Sequence, residues 1–234
     1  MSVDVFTICW NERDLLPYFL RWYAAADRIV VWDNGSTDGS QAIVAACKNA
    51  ELRSYDTNGQ QDNLAMLAVK NGCWKQSTAD WVIVCDVDEL IDFWKLAREP
   101  VRPAAYNCHG WQMIGGDGQK LEDVNLRLPE SWDKIAAFSP RIENINYRAG
   151  CHAAAPTCDV VQNVLQLRHY HHLGEEYVIR RYARYAARMS QSDIVLRHGW
   201  HYRLPESDNR AWYRDALARA VPDKEIGSIW GQMP

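Results

Sequence analysis

Five apolar residues in a row, Trp81-Val-Ile-Val-Cys85, run directly into Asp86-Val-Asp88-Glu89. A run without polar alternation has no face for water. It fits a strand covered on both sides, as parallel strands of α/β sheets are. Residues two apart in extended chain point to the same side, which brings the Asp86 and Asp88 carboxylates together. Ligands of open α/β sheets bind beyond the carboxyl ends of the strands. Two close carboxylates repel, and a cation is the simplest way to keep both ionised. Magnesium or manganese, held by one or two carboxylates plus substrate phosphates, suits that pattern. The plain alternative is an acidic loop capping the next helix.

The residues before this motif alternate short apolar runs with helical stripes. Strands are expected at Val3–Ile8, Ile29–Trp32, Leu52–Tyr55 and Trp81–Cys85. Helices are expected at Leu15–Ala25, Ser40–Asn49 and Asn63–Lys75; the first has Leu15, Leu16, Phe19, Leu20 and Tyr23 on one face. The order βαβαβαβ predicts an α/β fold with a mostly parallel, Rossmann-like sheet. The pattern changes near residue 96, at the breaker Glu99-Pro-Val-Arg-Pro103. Strands at Tyr106–Ile114, Ile135–Phe138 and Val164–His169 are then expected, with a helix over Glu175–Met189. The Trp-, Arg- and Pro-rich tail is read as partly helical around Ala211–Ala220. No linker separates the halves, so 1–234 reads as one domain, with a nucleotide-binding half (1–95) and an acceptor-side half (96–234).

Composition excludes several classes. Thirty acidic against 26 basic residues give a net charge of −4, which disfavours general nucleic-acid binding. No apolar run is long enough to span a bilayer, and the first residues do not read as a signal peptide. Seven cysteines, without a Cys-x-x-Cys pair, read as reduced thiols in a cytoplasmic protein. Eleven Trp and 11 Tyr against four Phe supply rings able to stack on sugars and to hydrogen-bond, although packing accounts for most such rings.

A second motif, Asp33-Asn-Gly-Ser-Thr-Asp-Gly-Ser40, follows the second strand. The Asn-Gly turn needs positive φ, and Ser36 or Asp38 can cap the following helix. The functional alternative is that Asp33 hydrogen-bonds a nucleotide.

Together these residues resemble the GT-A glycosyltransferases of family 2 and the family 92-like proteins. The resemblance rests on Cys9-Trp-Asn-Glu12, Asp33-Asn-Gly-Ser-Thr-Asp-Gly-Ser40 and Asp86-Val-Asp88-Glu89, in matching order and spacing over residues 3–94. It implies a GT-A fold and transfer of a sugar, with inversion, from a nucleotide-sugar such as a UDP-sugar to a glycan or other hydroxyl acceptor. It also implies that Asp33 contacts the base, that Asp86 approaches the ribose or metal, and that Asp88 binds Mn2+ (or Mg2+) at the diphosphate.

The distal half holds Lys134-Ile-Ala-Ala-Phe138, Gly150-Cys-His152 and Leu167-Arg-His-Tyr-His-His172, similar to distal family 92-like segments. His169, at a strand end, is the expected distal metal ligand, with His171 on the same face. Three His in four residues also suit zinc, or simply a turn. Lys134 is placed at phosphate or at the surface. A general base must deprotonate the acceptor. Asp117, in the Gly115-Gly-Asp-Gly118 loop, and His152 are the first candidates; Asp133 and Glu175 are further ones. The Arg180, Arg181, Arg184 and Arg188 face of the 175–189 helix reads as solvated, or as a surface for an anionic acceptor or a membrane headgroup layer. Competing readings are a sugar-nucleotide pyrophosphorylase, a non-catalytic carbohydrate-binding protein on the same fold, and a metal hydrolase built on the His cluster.

Overall fold

The computed structural model describes residues 1–224 and Trp230. Along the chain run β1 (Val3–Cys9), α1 (Leu16–Trp22), β2 (Arg28–Asp33), α2 (Ser40–Ala45), β3 (Ala50–Ser54), α3 (Asn63–Gly72), β4 (Trp81–Asp86) and β5 (Glu89–Ile91). After a 3-10 turn at Phe93–Arg98 come β6 (Ala104–Ile114), β7 (Leu126–Ser131), β8 (Lys134–Phe138) and β9 (Asp159–His172). The chain then forms α4 (Glu175–Ala186), α5 (Gln191–Leu196), α6 (Glu206–Arg219) and the short β10 (Val221–Pro222).

Two compact units share β6 and β9. One comprises residues 1–59, 63–109 and 133–167; the other comprises 60–62, 110–132 and the described residues from 168 onward. These bounds do not follow a division at 95/96.

In the first unit β3, β2, β1 and β4 lie side by side and parallel. The first five residues of β4 are all buried, as their unbroken apolar character requires; all seven of β1 are buried too, Asp4 among them being paired with Arg28 at 2.6 Å. β8 runs antiparallel along β4, and the first half of β6 runs antiparallel along β8. Phe6, Val30, Trp74, Val82, Val84, Phe138 and Tyr147 form the core of this unit. Trp74 and Trp81 are wholly buried and meet Phe138 and Tyr106 edge-on, at centroid distances of 5.0 and 5.2 Å. These two tryptophans are packing residues, available to no sugar.

In the second unit the end of β6 pairs antiparallel with β7, and β10 pairs with β7. Ile114, Leu128, Val178, Tyr182, Tyr213 and Ala216 make a smaller core under α4 and α6. A buried pair, Arg168 Nε to Asp223 Oδ2 at 2.7 Å, ties β9 to the segment after β10.

The expected helices over 15–25, 40–49 and 63–75 are real but shorter. α3 stops at Gly72, where a residue without a Cβ weakens the helix. β9 begins at Asp159, five residues before the expected start; its first five residues, Asp-Val-Val-Gln-Asn, are exposed or half-buried. No apolar pattern marks them. No helix among the described residues is long and apolar enough to cross a membrane.

Candidate functional site

Strand register sets the site's spacing. Cys9 of β1 pairs with Asp33 of β2, and Ile8 of β1 pairs with Asp86 of β4. Both aspartates therefore end parallel strands at one edge of the sheet, with β1 between them. Neighbouring strands lie about 4.8 Å apart, so the two backbones are separated by roughly 10 Å.

The loop after β2 is welded to the loop after β1. The Ser36 hydroxyl accepts from the Asn11 N–H at 2.8 Å, and Asn11 Oδ1 accepts from the Thr37 N–H at 2.7 Å. The Glu12 N–H donates to the Ser40 hydroxyl, and the Arg13 N–H donates to Asp38. Gly35 and Gly39 have φ of 71° and 98°, a region that disfavours side chains. The glycines thus let the loop turn back onto Asn11. Asp38 accepts the Ser40 N–H and hydroxyl, and these bonds hold its carboxyl below the usual carboxylate range although burial pushes it up. Asp33 itself is buried. Its Oδ2 accepts the Ser36 N–H and Gln41 Nε2 at 3.0 and 2.6 Å. Its Oδ1 is also buried and has no hydrogen-bond partner among the described residues. Buried acceptors in native proteins are nearly always satisfied, so this oxygen suits a donor group from a ligand.

The second strand end is a charge cluster that the sequence does not announce. β8 opposes β4 with Val82 beside Phe138 and Ile83 beside Ala137. Three places further, the same register sets Lys134 opposite Asp86. Lys134 Nζ lies 2.7 Å from both Glu89 oxygens and 3.3 Å from Asp86 Oδ2. Lys70, from α3, lies 2.5 Å from Asp86 Oδ1. Asp86 thus has an ammonium group on each oxygen. Burial pushes its carboxyl up, but Lys70 and Lys134 more than offset this and hold it below the ordinary range. Burial lowers the Lys134 ammonium, but Glu89 and Asp86 more than reverse that and leave it well above its ordinary value. Lys134 is not a surface lysine; it is 1% exposed. Glu89 is wholly buried and also accepts the Asp86 N–H at 2.8 Å, closing the turn that carries Asp88. Asp88 is buried at that turn. A bound cation is expected as the simplest way to keep Asp86 ionised; Lys70 and Lys134 already do so.

In the second unit, His169 and His171 project from one face of β9, with ring centroids 5.1 Å apart. Trp132 stacks on His169 at 4.4 Å and 21°, which fixes the imidazole plane. His172 meets His171 edge-on at 5.0 Å and lies beside Trp212 and Tyr182.

The base candidates separate. Asp117 caps α4 from a neighbouring loop: its two oxygens accept the Glu176 and Tyr177 N–H groups at 3.1 and 3.0 Å. Glu175 is bound by Arg210 and Arg214, whose hydrogen bonds lower its carboxyl to about 2; so acidic a group is a weak base. Asp133 pairs with His109 at 2.9 Å. His152 is exposed on the turn after Gly150, whose φ is 77°. Its neighbour Cys151 feels the charges of Lys70, Lys134, Asp86 and Glu89, so this turn lies beside the charge cluster. The Lys70, Lys134 and Glu89 network was legible only as a single uncertain lysine. A buried lysine looks like any other in sequence until strand register gives it a partner.

Residues 4–99 match the family model of glycosyl transferase family 2. Among solved structures, residues 1–349 of S. aureus TarS align with 13% identity over 94% of this chain and 71% of that one, at a TM-score of 0.42. HddC from Yersinia pseudotuberculosis aligns with 9% identity over 71% of this chain and 92% of that one, at 0.40. Likenesses this distant add nothing to the family match. The mixed α/β sheet has the GT-A arrangement, and the segment that carries Asp33, Asp86, Asp88 and Glu89 is similar to glycosyl transferase family 2.

Proposed function

We propose that the protein is a metal-dependent glycosyltransferase. It takes a sugar from a nucleotide-sugar donor, a UDP-sugar in this reading, and inverts the anomeric centre on transfer to a glycan hydroxyl. The observation that carries the reading is the pair of strand ends flanking β1. Asp33 holds a buried oxygen with no protein donor, and Asp86 leads into the turn that buries Asp88. In this reading Asp33 accepts a hydrogen bond from the base. Asp86, held by its two lysines, faces the ribose.

In this reading Asp88 is the carboxylate ligand of a divalent cation, and the imidazoles of His169 and His171, side by side on β9, are the nitrogen donors that complete its set. Imidazoles favour manganese over magnesium. The cation, when bound, supplies a Lewis acid at the leaving diphosphate. Asp86 leaves the ligand set because its charge is already balanced. Lys134 orients Glu89 and Asp86 rather than meeting phosphate. His152, exposed on its turn beside the charge cluster, takes the acceptor proton.

Donor hydrolysis, measured across UDP-sugars with titrated manganese, tests the assignment. Asp88→Asn is expected to lose about a thousandfold or more in turnover. His169→Ala should raise the manganese requirement with little change in acceptor KM. His152→Ala should lower sugar transfer a hundredfold or more and leave the manganese requirement unchanged. Near-full activity of Asp88→Asn overturns the enzyme reading; a raised manganese requirement only in His152→Ala reverses the two histidine roles.

A further inference from the structure

Outside this site, α5 and the turn after it present an uncommon surface. Ile194, Val195 and Leu196 are consecutive and exposed, Val195 by 69% and Leu196 by 52%. Trp200, four residues on, is 57% exposed. α5 is anchored from behind: its Ser190 cap accepts the Asp193 N–H at 3.1 Å, and buried Asp193 holds His198 Nδ1 at 3.1 Å. Arg197 ends the helix at φ 60° and Gly199 follows at φ 61°, so the chain reverses tightly and brings Trp200 back to α5. Ile194, Arg197, His198, Trp200 and Arg203 line one open cavity of about 220 Å³.

Charge says what covers this patch. The whole chain is net negative, yet residues 184–203 hold Arg184, Arg188, Arg197 and Arg203 against the single buried Asp193. A basic island around exposed aliphatic and indole side chains complements an anionic interface. Aliphatic tips enter the acyl boundary, tryptophan sits at headgroup level, and arginines meet lipid phosphates. Of the basic face expected on the 175–189 helix, Arg184 and Arg188 belong to this island but Arg181 does not. Arg181 is buried and lies against Tyr177 and Tyr185.

We propose that the Ile194–Leu196 tip with Arg197, Trp200 and Arg203 docks the protein onto an anionic lipid bilayer. The assignment does not depend on the catalytic reading.

Flotation of the intact protein with phosphatidylcholine vesicles, with and without phosphatidylglycerol, tests it. Binding is expected only to the phosphatidylglycerol vesicles and should weaken as salt rises. The double change Val195→Asp, Leu196→Asp should reduce binding tenfold or more. Arg197→Gln and Arg203→Gln should each cost roughly fivefold, the value of one basic side chain at such a surface. These side chains are exposed, so circular dichroism should be unchanged in all variants. The proposal is overturned if no vesicles bind, if neutral vesicles bind equally, or if the variants bind like wild type. It is also overturned if light scattering finds a wild-type dimer that the Val195→Asp, Leu196→Asp variant breaks, since a second copy would then own the patch.

Discussion

Asp33 and Asp86 occupy equivalent strand ends, yet their chemistry differs because their neighbours do. Asp33 is served by a backbone N–H and a glutamine amide on one oxygen only. Asp33→Ala should therefore weaken UDP affinity ten- to hundredfold, since a hydrogen bond to a charged group contributes about 1.5–3 kcal/mol. Calorimetry reads this directly, and an unchanged dissociation constant would return Asp33 to a turn role. Asp86 instead depends on Lys70 and Lys134. Removing one partner of a buried pair costs about 3–5 kcal/mol. About a third of Asp86 reaches solvent, so Lys70→Met should lie near ~3 kcal/mol, the low end of that range. The sign with pH follows from the lowered Asp86 carboxyl. A carboxylate whose pKa falls on folding stabilises above its unfolded pKa, and that stabilisation disappears as pH drops through the folded value. The gap between wild type and Lys70→Met should thus be full at neutral pH and narrow in acid. Urea titrations across that span check it; a gap constant with pH means Lys70 acts only by packing.

Elements differ in how plainly the sequence declares them. β4 carries an unbroken apolar run, and β2 carries one between Arg28 and Asp33; the motif residues at their ends follow from strand geometry alone. β7 and the exposed start of β9 carry Arg, Glu, Gln and Asn, residues with little strand preference; only their pairing partners make them strands. The same holds for site residues. Asp33, Asp86 and Asp88 are legible because local spacing places them, whereas Lys70 and Lys134 gain meaning only from α3 and β8 packing on β4. Asp117 shows the reverse case. Its Gly-rich loop suggested an acceptor-side base, but the loop instead packs closely against the start of α4, where the approach requires Gly174. A Cβ at Gly174, where φ is 132°, would collide with the Asp117 carboxylate. Asp117 thus satisfies two of the first N–H groups of α4, which no α4 residue can reach. Asp117→Ala should destabilise the protein by about 1 kcal/mol, as loss of a helix cap does. Sugar transfer by the folded variant should persist. A loss of turnover of a hundredfold or more at unchanged stability would make Asp117 the base instead of His152.

At the scale of the whole molecule, ligand linkage separates the metal from the nucleotide without any turnover. A ligand that binds only the folded chain stabilises it by RT ln(1 + [L]/Kd), about 2.7 kcal/mol at a hundred times Kd. In the proposed site the diphosphate of UDP would supply oxygen ligands to the cation beyond those of the protein. Manganese and UDP should therefore raise the melting temperature together by more than the sum of their separate shifts. Asp88→Asn should erase the excess and the manganese shift but keep most of the UDP shift, because Asp33 and its loop are untouched. Asp33→Ala should do the converse, reducing the UDP shift and sparing that of manganese. The two variants thus divide the site along its own geometry, one at each side of β1. Strictly additive shifts in the wild type would mean that metal and nucleotide bind apart. The Asp88 turn would then be no more than the cap that closes β4 onto β5.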